Sequence, residues 1–136
     1  MAGLVLDASV AVAAVLEEAH TEGARAILRH VANVGAVVPN LWYLEVAQTL
    51  LVAERQGRLT AAEREAAQSL LLDLPVVVDA DTWARAMRDT IELASEQRLS
   101  LYDAAYLELS QRSNVPLATF DANLRRAAAA IGVVLL

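Results

Sequence analysis

A short run of large apolar residues near the start of the chain, Leu4-Val5-Leu6, is followed directly by the carboxylate of Asp7. Consecutive apolar residues without polar alternation are typical of a strand that is covered on both faces, as in a parallel sheet. In α/β proteins the carboxyl ends of such strands carry the groups that bind ligands. This stretch therefore predicts a sheet buried between helices, and it makes Asp7 the first candidate functional residue.

The rest of the chain alternates strand-length apolar clusters with longer segments of helical period, which is typical of βα units. Further predicted strands cover residues 36–38, 75–78, 117–119 and 133–135. Predicted helices cover residues 10–18, 21–32, 41–56, 61–73, 82–97, 101–112 and 122–131. The helix over 61–73 begins at a capping box formed by Thr60 and Glu63. Because no linker or shift in composition divides the chain, we expect one compact α/β domain over residues 1–136.

Composition restricts the kind of metal site that this chain can build. It contains no Cys and only two His, His20 and His30, so a zinc site of nitrogen and sulfur ligands is not expected. Any catalytic metal should be a hard, oxygen-bound ion such as Mg²⁺ or Mn²⁺. The absence of Cys fits a reducing cytoplasm, and neither a signal peptide nor an uncharged stretch of about 18 to 20 residues is present. We therefore expect a cytoplasmic protein without a membrane segment.

Four acidic residues stand where a βα topology gathers side chains: Asp7, Glu45, Asp103 and Asp121. Asp7 and Asp121 follow the first and fourth predicted strands, and Asp103 lies in the first turn of a helix. Because strand ends and the following helix starts share one edge of a parallel sheet, we expect these carboxylates to meet there. Two carboxylates about 4 Å apart repel by roughly 4 kcal/mol at an effective dielectric of about 20. A cluster of four therefore needs a shared proton or a cation, and Mg²⁺ would serve.

Three of these acids also have a purely structural explanation when each is taken alone. Asp7 and Asp121 are suitable N-caps, and Asp103 completes a Ser-x-x-Asp box that the helix macrodipole stabilises. Glu45 differs because it is the only charged residue between positions 41 and 53, on a helix that is apolar on nearly every side. A carboxylate buried there is unfavourable unless a positive charge compensates it, which favours a functional site.

Four segments that contain these acids carry the sequences VLDAS at 5–9, PNLWYLEV at 39–46, LSLYDAAYLEL at 99–109 and LATFD at 117–121. In this order they resemble the acidic motifs of PIN-domain proteins, and more closely those of the ribonuclease toxins of the VapBC toxin–antitoxin family. The resemblance implies a parallel five-stranded sheet, order 3-2-1-4-5, between helices. It also implies an endoribonuclease that depends on Mg²⁺ or Mn²⁺, and a cognate VapB-like antitoxin that occupies the toxin and blocks its site.

Carried over position by position, the resemblance also implies roles for single residues. The matching acidic quartet is Asp7, Glu45, Asp103 and Asp121, and the supporting polar positions are Ser9 and Thr119. Asp7, Asp103 and Asp121 would hold the metal, directly or through water. Glu45 would orient or deprotonate a metal-bound water that attacks the phosphodiester. Bases follow the last motif only at Arg125 and Arg126, which we take as the first candidates for RNA contact.

Other functions remain open at this point. A response receiver or a haloacid-dehalogenase-type phosphatase also keeps an Asp after its first strand, but both rely on a Lys, and this chain has none. The phosphatase also needs Asp-x-Asp where this chain has Asp7-Ala8-Ser9. A catalytically inactive PIN-like interaction module would be expected to lack one of the four acids. A PIN-domain nuclease outside toxin–antitoxin control is the more serious alternative.

Charge and hydropathy bear on the partners. Seventeen acidic and eleven basic residues give a net charge of −6, although Arg and Lys usually supply most of the affinity for phosphates. The placement of the Arg residues therefore matters more than their number. A mean hydropathy of +0.39 suggests more apolar surface than a monomer buries, so we expect a homodimer and an antitoxin groove. Trp42 and Tyr43 could stack on bases, but their apolar helix favours the core or an interface.

Overall fold

The computed structural model describes residues 2–17 and 19–136. In this part of the chain one parallel sheet, in the order β3-β2-β1-β4, is formed by β1 (Leu4–Leu6), β2 (Ala36–Val38), β3 (Val76–Val78) and β4 (Leu117–Ala118). The helices are α1 (Ala8–Val15), α2 (Thr21–Val34), α3 (Trp42–Arg55), α4 (Ala61–Leu72), α5 (Thr82–Arg85), α6 (Ile91–Gln97), α7 (Leu101–Ser113) and α8 (Ala122–Ile131). A π-helical turn, Ala86–Thr90, joins α5 to α6. The predicted α/β class is confirmed.

The first strand lies at the centre of the sheet, as the sequence predicts. β1 pairs with β2 on one side and β4 on the other, with Leu4 opposite Ala36 and Leu6 opposite Ala118. All three of its residues are fully buried, as expected for a parallel strand that helices cover on both faces. α1 packs against α2 and α3, whereas α7 packs against β1, β4 and α8. The carboxyl end of β1 therefore opens between α1, α3 and α7.

Helix starts agree with the predictions where a local cap determines them. Thr60 Oγ1 accepts the backbone N–H of Glu63 at 3.1 Å, and Glu63 Oε1 accepts the N–H of Thr60 at 2.9 Å, so the predicted capping box opens α4. At the start of α7, Ser100 Oγ accepts the N–H of Asp103 at 3.1 Å. The predicted end of the first helix at residue 18 lies outside the described residues, and α1 ends at Val15.

The predicted fifth strand is wrong, and the sheet has four strands within the described residues. The segment 133–135 makes a single parallel bridge, between Leu135 and Leu117. Two hydrogen bonds join residues 134–136 to β4, from Leu117 N–H to Val134 O at 2.8 Å and from Leu136 N–H to Leu117 O at 3.0 Å. Because β4 has only two residues, it offers this segment too short a partner for a ladder to continue. The observed strand order is therefore 3-2-1-4.

The predicted continuous helix over 82–97 is also wrong in detail. The backbone of Arg88 leaves helical values, with φ −125° and ψ −109°, inside the π-helical turn between α5 and α6. A π-turn interrupts the regular i→i−4 hydrogen bonds and changes the direction of the helix there. No local feature of the sequence, such as Pro or Gly, predicts this break.

The aromatic and histidine residues named in the sequence analysis lie partly in the core and partly at the surface. Trp42 is 1% exposed and belongs to the core, whereas its neighbour Tyr43 is partly exposed. His20 and His30 are exposed, and His20 stacks on Phe120 with ring centroids 4.6 Å apart. Among the described residues, the helices are too short or too polar to cross a membrane.

Candidate active site

Four elements of the fold bring acidic side chains to one cavity of about 370 Å³ beside the carboxyl end of the sheet. Asp7 directly follows β1, and Asp121 lies three residues beyond β4 at the start of α8. Glu45 and Asp103 lie in the first turns of α3 and α7. All four residues line the cavity, so the structure brings together the acids that the sequence predicts to be neighbours.

Asp7 is held by two hydroxyl groups rather than by a helix end. Its Oδ2 atom accepts hydrogen bonds from Ser9 Oγ at 2.7 Å and from Thr119 Oγ1 at 2.6 Å. Although Asp7 occupies the N-cap position of α1, its side chain makes no capping hydrogen bond, and the residue is only 6% exposed. Capping therefore does not explain Asp7, and a carboxylate this buried is unfavourable unless the site gives it another partner.

Thr119 connects the segments that follow β1 and β4. Its buried hydroxyl donates to Asp7 and also accepts the backbone N–H of Asp121 at 3.1 Å. Asp121 in turn caps α8, because its Oδ1 atom accepts the N–H of Leu124 at 2.8 Å. The structural explanation therefore holds for Asp121, together with its place in the cavity. Ser9 and Thr119, the predicted supporting residues, both contact Asp7.

Glu45 receives its hydrogen bond from a residue that the sequence analysis did not single out. Tyr106 is a fully buried residue of α7, and its hydroxyl donates to Glu45 Oε1 at 2.5 Å. Burial and the nearby Glu45 raise the pKa of Tyr106 well above its ordinary value, so the hydroxyl keeps its proton. The one available signal was spacing, because a residue three positions after Asp103 lies on the same face of the helix.

Burial and mutual repulsion raise the pKa of three of the four carboxyl groups. Removal from water is the largest cause at Asp7, Glu45 and Asp103. The charge of Asp121 adds to the rise at Asp7 and Asp103, and the charges of Asp7 and Asp103 add to the rise at Glu45. The hydroxyl groups described above oppose the rise at Asp7 and Glu45. The carboxylates are thus close enough to repel, which favours a cation or a proton among them.

The chemistry of these donors fits a hard divalent cation. Carboxylate oxygens are the ligands that Mg²⁺ and Mn²⁺ prefer, and Asp7, Glu45, Asp103 and Asp121 supply them in one cavity. Over residues 2–17 and 19–136, however, no group of three or more Asp, Glu or His side chains is arranged to hold one metal ion. The four carboxylates share a cavity and repel each other, so holding an ion together requires side-chain reorientation.

The predicted RNA contacts do not line this cavity. Arg125 donates through Nη1 to the backbone oxygens of Thr119 at 2.9 Å and Leu136 at 3.3 Å. Arg126 donates through Nη2 to the backbone oxygen of Gln97 at 2.8 Å. The guanidinium group of Arg125 therefore holds the backbone just after β4 and at Leu136, and that of Arg126 holds the last residue of α6. A role in RNA contact stays a prediction for these two residues.

A different arginine, Arg58, does line the cavity, and the sequence analysis gave it no role. Gly57, with a φ of +75°, closes the end of α3, and the N–H of Arg58 donates to Ala53 O at 2.9 Å. Thr49 and Arg58 line the cavity together with the four acids. A guanidinium group from the segment after α3 therefore shares one cavity with the carboxylates.

Comparison with protein families gives a match along most of the chain. Residues 4–130 match the family model described as PIN domain. No curated protein matches the sequence at a significant level.

Two solved structures have a similar fold. PAE2754 from Pyrobaculum aerophilum superposes with a TM-score of 0.72 at 21% identity, covering 98% of this chain and 90% of that one. VapC20 from Mycobacterium tuberculosis, described as a sarcin–ricin loop cleaving toxin, superposes with a TM-score of 0.67 at 19% identity, covering 97% of each chain. At these identities the likeness shows the fold alone.

Proposed function

This chain belongs to the PIN-domain family, and from that membership we propose that it is a metal-dependent endoribonuclease and the toxin of a type II toxin–antitoxin module. PIN domains are generally nucleases, and the prediction of this family from four acidic motifs is confirmed. One observation supports the catalytic proposal more than any other. Four carboxylates from distant segments line one cavity, and Asp7 is buried there without a capping role.

We assign a separate catalytic role to each residue of the cavity. Asp7, Asp103 and Asp121 would hold Mg²⁺ or Mn²⁺, directly or through water. The bound ion would lower the pKa of a water toward neutrality and offset charge that develops on the phosphate. Glu45 would orient that water or accept its proton on a carboxylate oxygen. Ser9 and Thr119 fix the orientation of Asp7 through its Oδ2 atom.

Arg58 is the better candidate for contact with the RNA backbone than Arg125 or Arg126, because it lines the same cavity as the carboxylates. Replacing Arg58 with Ala should weaken RNA binding and reduce its salt dependence, because one phosphate contact is lost, and should leave Mn²⁺ binding unchanged. Arg55→Ala, an exposed residue at the end of α3 that does not line the cavity, is the matched control. Equal RNA affinity of both variants would contradict this assignment.

An apolar groove beside the active site supports the proposal of an antitoxin partner. A cavity of about 540 Å³ lies between α1, α2 and α4, with apolar walls that include Leu28, Ala67 and Leu70. It shares Arg25 with a second cavity. That second cavity shares Arg58 with the cavity that the four carboxylates line. A VapB-like segment that lies along this path would cover the carboxylates and exclude RNA. A small upstream reading frame that encodes a DNA-binding protein would support this partner, and its absence would favour a PIN nuclease outside toxin–antitoxin control.

Exposed apolar side chains support the proposal of a homodimer. Leu44 on α3 is 78% exposed, Trp83 on α5 is 75% exposed, and Met87 in the π-helical turn is 83% exposed. Scattered exposed apolar residues are common, whereas contiguous apolar patches mark interaction surfaces, and Trp83 and Met87 lie only four positions apart. Sedimentation over a range of protein concentrations measures the oligomeric state, and a monomer at every concentration would contradict the dimer.

The proposed activity is tested by incubating the purified protein with a mixed RNA pool in Mg²⁺, in Mn²⁺ and in chelator. Because the structurally similar VapC20 is described as cleaving the sarcin–ricin loop, an oligonucleotide of that loop belongs in the pool. We expect cleavage with either metal and none with chelator. Cleavage that chelator does not stop would overturn the metal mechanism. An absence of cleavage in every condition would favour the inactive interaction module.

A further inference from the structure

Tyr106 has an unusual position for a buried aromatic residue. It lies three residues after Asp103 on α7, and it is fully buried although Tyr102, one turn earlier, is largely exposed. A buried phenol needs a partner for its hydroxyl, and most such groups find a backbone oxygen or water. Here the partner is the carboxylate of Glu45, on another helix and 61 residues away in sequence.

The contact is short and its direction is settled by chemistry. The distance from Tyr106 Oη to Glu45 Oε1 is 2.5 Å, which is typical of a hydroxyl that donates to an ionised carboxylate. A phenol has an ordinary pKa of about 10, so it carries a proton to donate at neutral pH. The backbone of Ala8, next to Asp7, also interacts with the hydroxyl of Tyr106. The hydroxyl thus lies between the turn after β1 and the first turn of α3.

The arrangement at Glu45 parallels that at Asp7. Asp7 is oriented by the hydroxyl groups of Ser9 and Thr119, which both engage its Oδ2 atom. Tyr106 engages the Oε1 atom of Glu45 in the same manner, and Glu45 also lines the cavity. Without this hydroxyl, the long Glu45 side chain would have several rotamers open to it, because it is only half-buried.

We propose that Tyr106 is a positioning residue of the active site, whose hydroxyl holds Glu45 in the orientation that serves a divalent cation and its water. The inference rests on the proposed function for its effect on cleavage, but its effect on cation binding is measurable without RNA. Groups that orient metal ligands typically change metal affinity or activity by about 10- to 100-fold when they are removed. Tyr106 belongs with Ser9 and Thr119 in this respect.

Tyr106→Phe tests the inference because it removes one oxygen atom and keeps the buried ring. We expect the Kd for Mn²⁺, measured by electron paramagnetic resonance of the free ion, to rise about tenfold, and kcat for RNA cleavage to fall by about tenfold or more with a smaller change in KM. Tyr43→Phe, on the partly exposed Tyr43 of α3, is the matched control and should change neither quantity. Circular dichroism should show the same fold for all three proteins.

A structural role for the hydroxyl is separated from a positioning role by a double-mutant cycle with Glu45→Gln. If Tyr106 acts through the Glu45 carboxylate, Tyr106→Phe should have little further effect on Mn²⁺ affinity in the Glu45→Gln background. An effect of equal size in both backgrounds, or wild-type Mn²⁺ affinity in Tyr106→Phe, would overturn the inference. Wild-type protein whose Mn²⁺ affinity depends on Tyr106 and Glu45 as expected, but which cuts no RNA, would overturn the proposed function alone. Wild-type protein that binds no Mn²⁺ would overturn both.

Discussion

Asp7 is a charged residue in a place that water hardly reaches. Burial is the largest cause of its raised pKa, and the charge of Asp121 adds to it, whereas the hydroxyl groups of Thr119 and Ser9 compensate only in part. A protein that needs Asp7 only for its fold would do better with a neutral residue there. Burial together with a raised pKa is therefore typical of a functional residue, and here it lowers the stability of the fold.

Asp7→Asn separates function from stability at this position. The amide keeps an oxygen that accepts from Thr119 and Ser9 but removes the charge, so we expect cleavage to fall by more than the roughly 100-fold that loss of a supporting group causes. The melting temperature at neutral pH should be unchanged or higher, because a buried charge is removed. Rates with a labelled RNA and thermal melts measure the two effects.

Asp73→Asn is the control for this substitution, because Asp73 is an exposed carboxylate at the end of α4. It should leave both the cleavage rate and the melting temperature as in the wild-type protein. Cleavage by Asp7→Asn at the wild-type rate would remove Asp7 from the mechanism.

Among the helices and strands, a cluster of charged side chains joins α7 to the residue that follows β3. Arg112 on α7 donates to Asp79 Oδ2 at 2.7 Å and to Glu108 Oε1 at 2.8 Å. Burial alone would raise the pKa of Asp79, but hydrogen bonds from Arg112 and Thr82 outweigh it and lower that pKa. Because α7 also carries Asp103 and Tyr106, this cluster helps to set the position of the helix that supplies one side of the active site.

Replacing Arg112 with Ala should destabilise the fold by about 3 kcal/mol, because it leaves the buried carboxylate of Glu108 and the partly buried carboxylate of Asp79 without a cation. Arg85→Ala is the control, since the Arg85–Asp89 pair spans 2.9 Å with side chains that are 40% and 64% exposed, and it should cost less than about 1 kcal/mol. Urea unfolding monitored by circular dichroism measures both values. Equal destabilisation by the two substitutions would show that the buried cluster contributes no more than a surface pair.

Local sequence signals predict some helices and strands of this fold and miss others. Thr60 with Glu63, and Ser100, begin α4 and α7 where the caps predict, because a cap depends on residues three positions apart. The π-helical turn at Arg88 and the loss of a fifth strand at 133–135 were not predicted. Apolar residues alone indicate a strand, but a strand forms only where its neighbour is long enough to pair with it.

For the whole molecule, the acidic cavity predicts an unusual dependence of stability on pH. The pKa values of Asp7, Glu45 and Asp103 are raised in the folded protein, so the folded state holds these protons more tightly than the unfolded chain does. Their contribution to stability is complete below the ordinary values of 3.8 and 4.5, and it is lost as pH rises through the raised values. We therefore expect that, as pH rises from about 4 to about 7, the melting temperature of Asp7→Asn increases relative to that of the metal-free wild type.

A divalent cation should reverse this destabilisation at neutral pH. Mn²⁺ at a hundred times its Kd should stabilise the wild-type fold by roughly 2.7 kcal/mol, and by less near pH 4, where the carboxyl groups are protonated. Thermal melts with and without the ion, at both pH values, measure the difference. A melting temperature that Mn²⁺ does not raise at neutral pH would contradict a cation site at these carboxylates.

The amino-acid sequence alone predicted the central strand and the identity of the four acids. The apolar run at Leu4–Leu6 predicted a central buried strand, and four acidic motifs predicted the PIN-domain family, because both signals lie within a few adjacent residues. Strand ends of a parallel sheet share one edge, so the meeting of Asp7 with Asp121 was also predictable from topology.

The supporting residues Ser9 and Thr119 were predicted, but the partner of Glu45 and the arginine of the cavity became known only from the packed structure. Tyr106 reaches Glu45 across 61 residues, and the cavity is lined by Arg58 rather than by Arg125 or Arg126. Such contacts depend on how helices pack over the sheet, to within an ångström. Local propensity extends over only a few residues, so a pattern along the chain predicts which groups are present but not which of them touch.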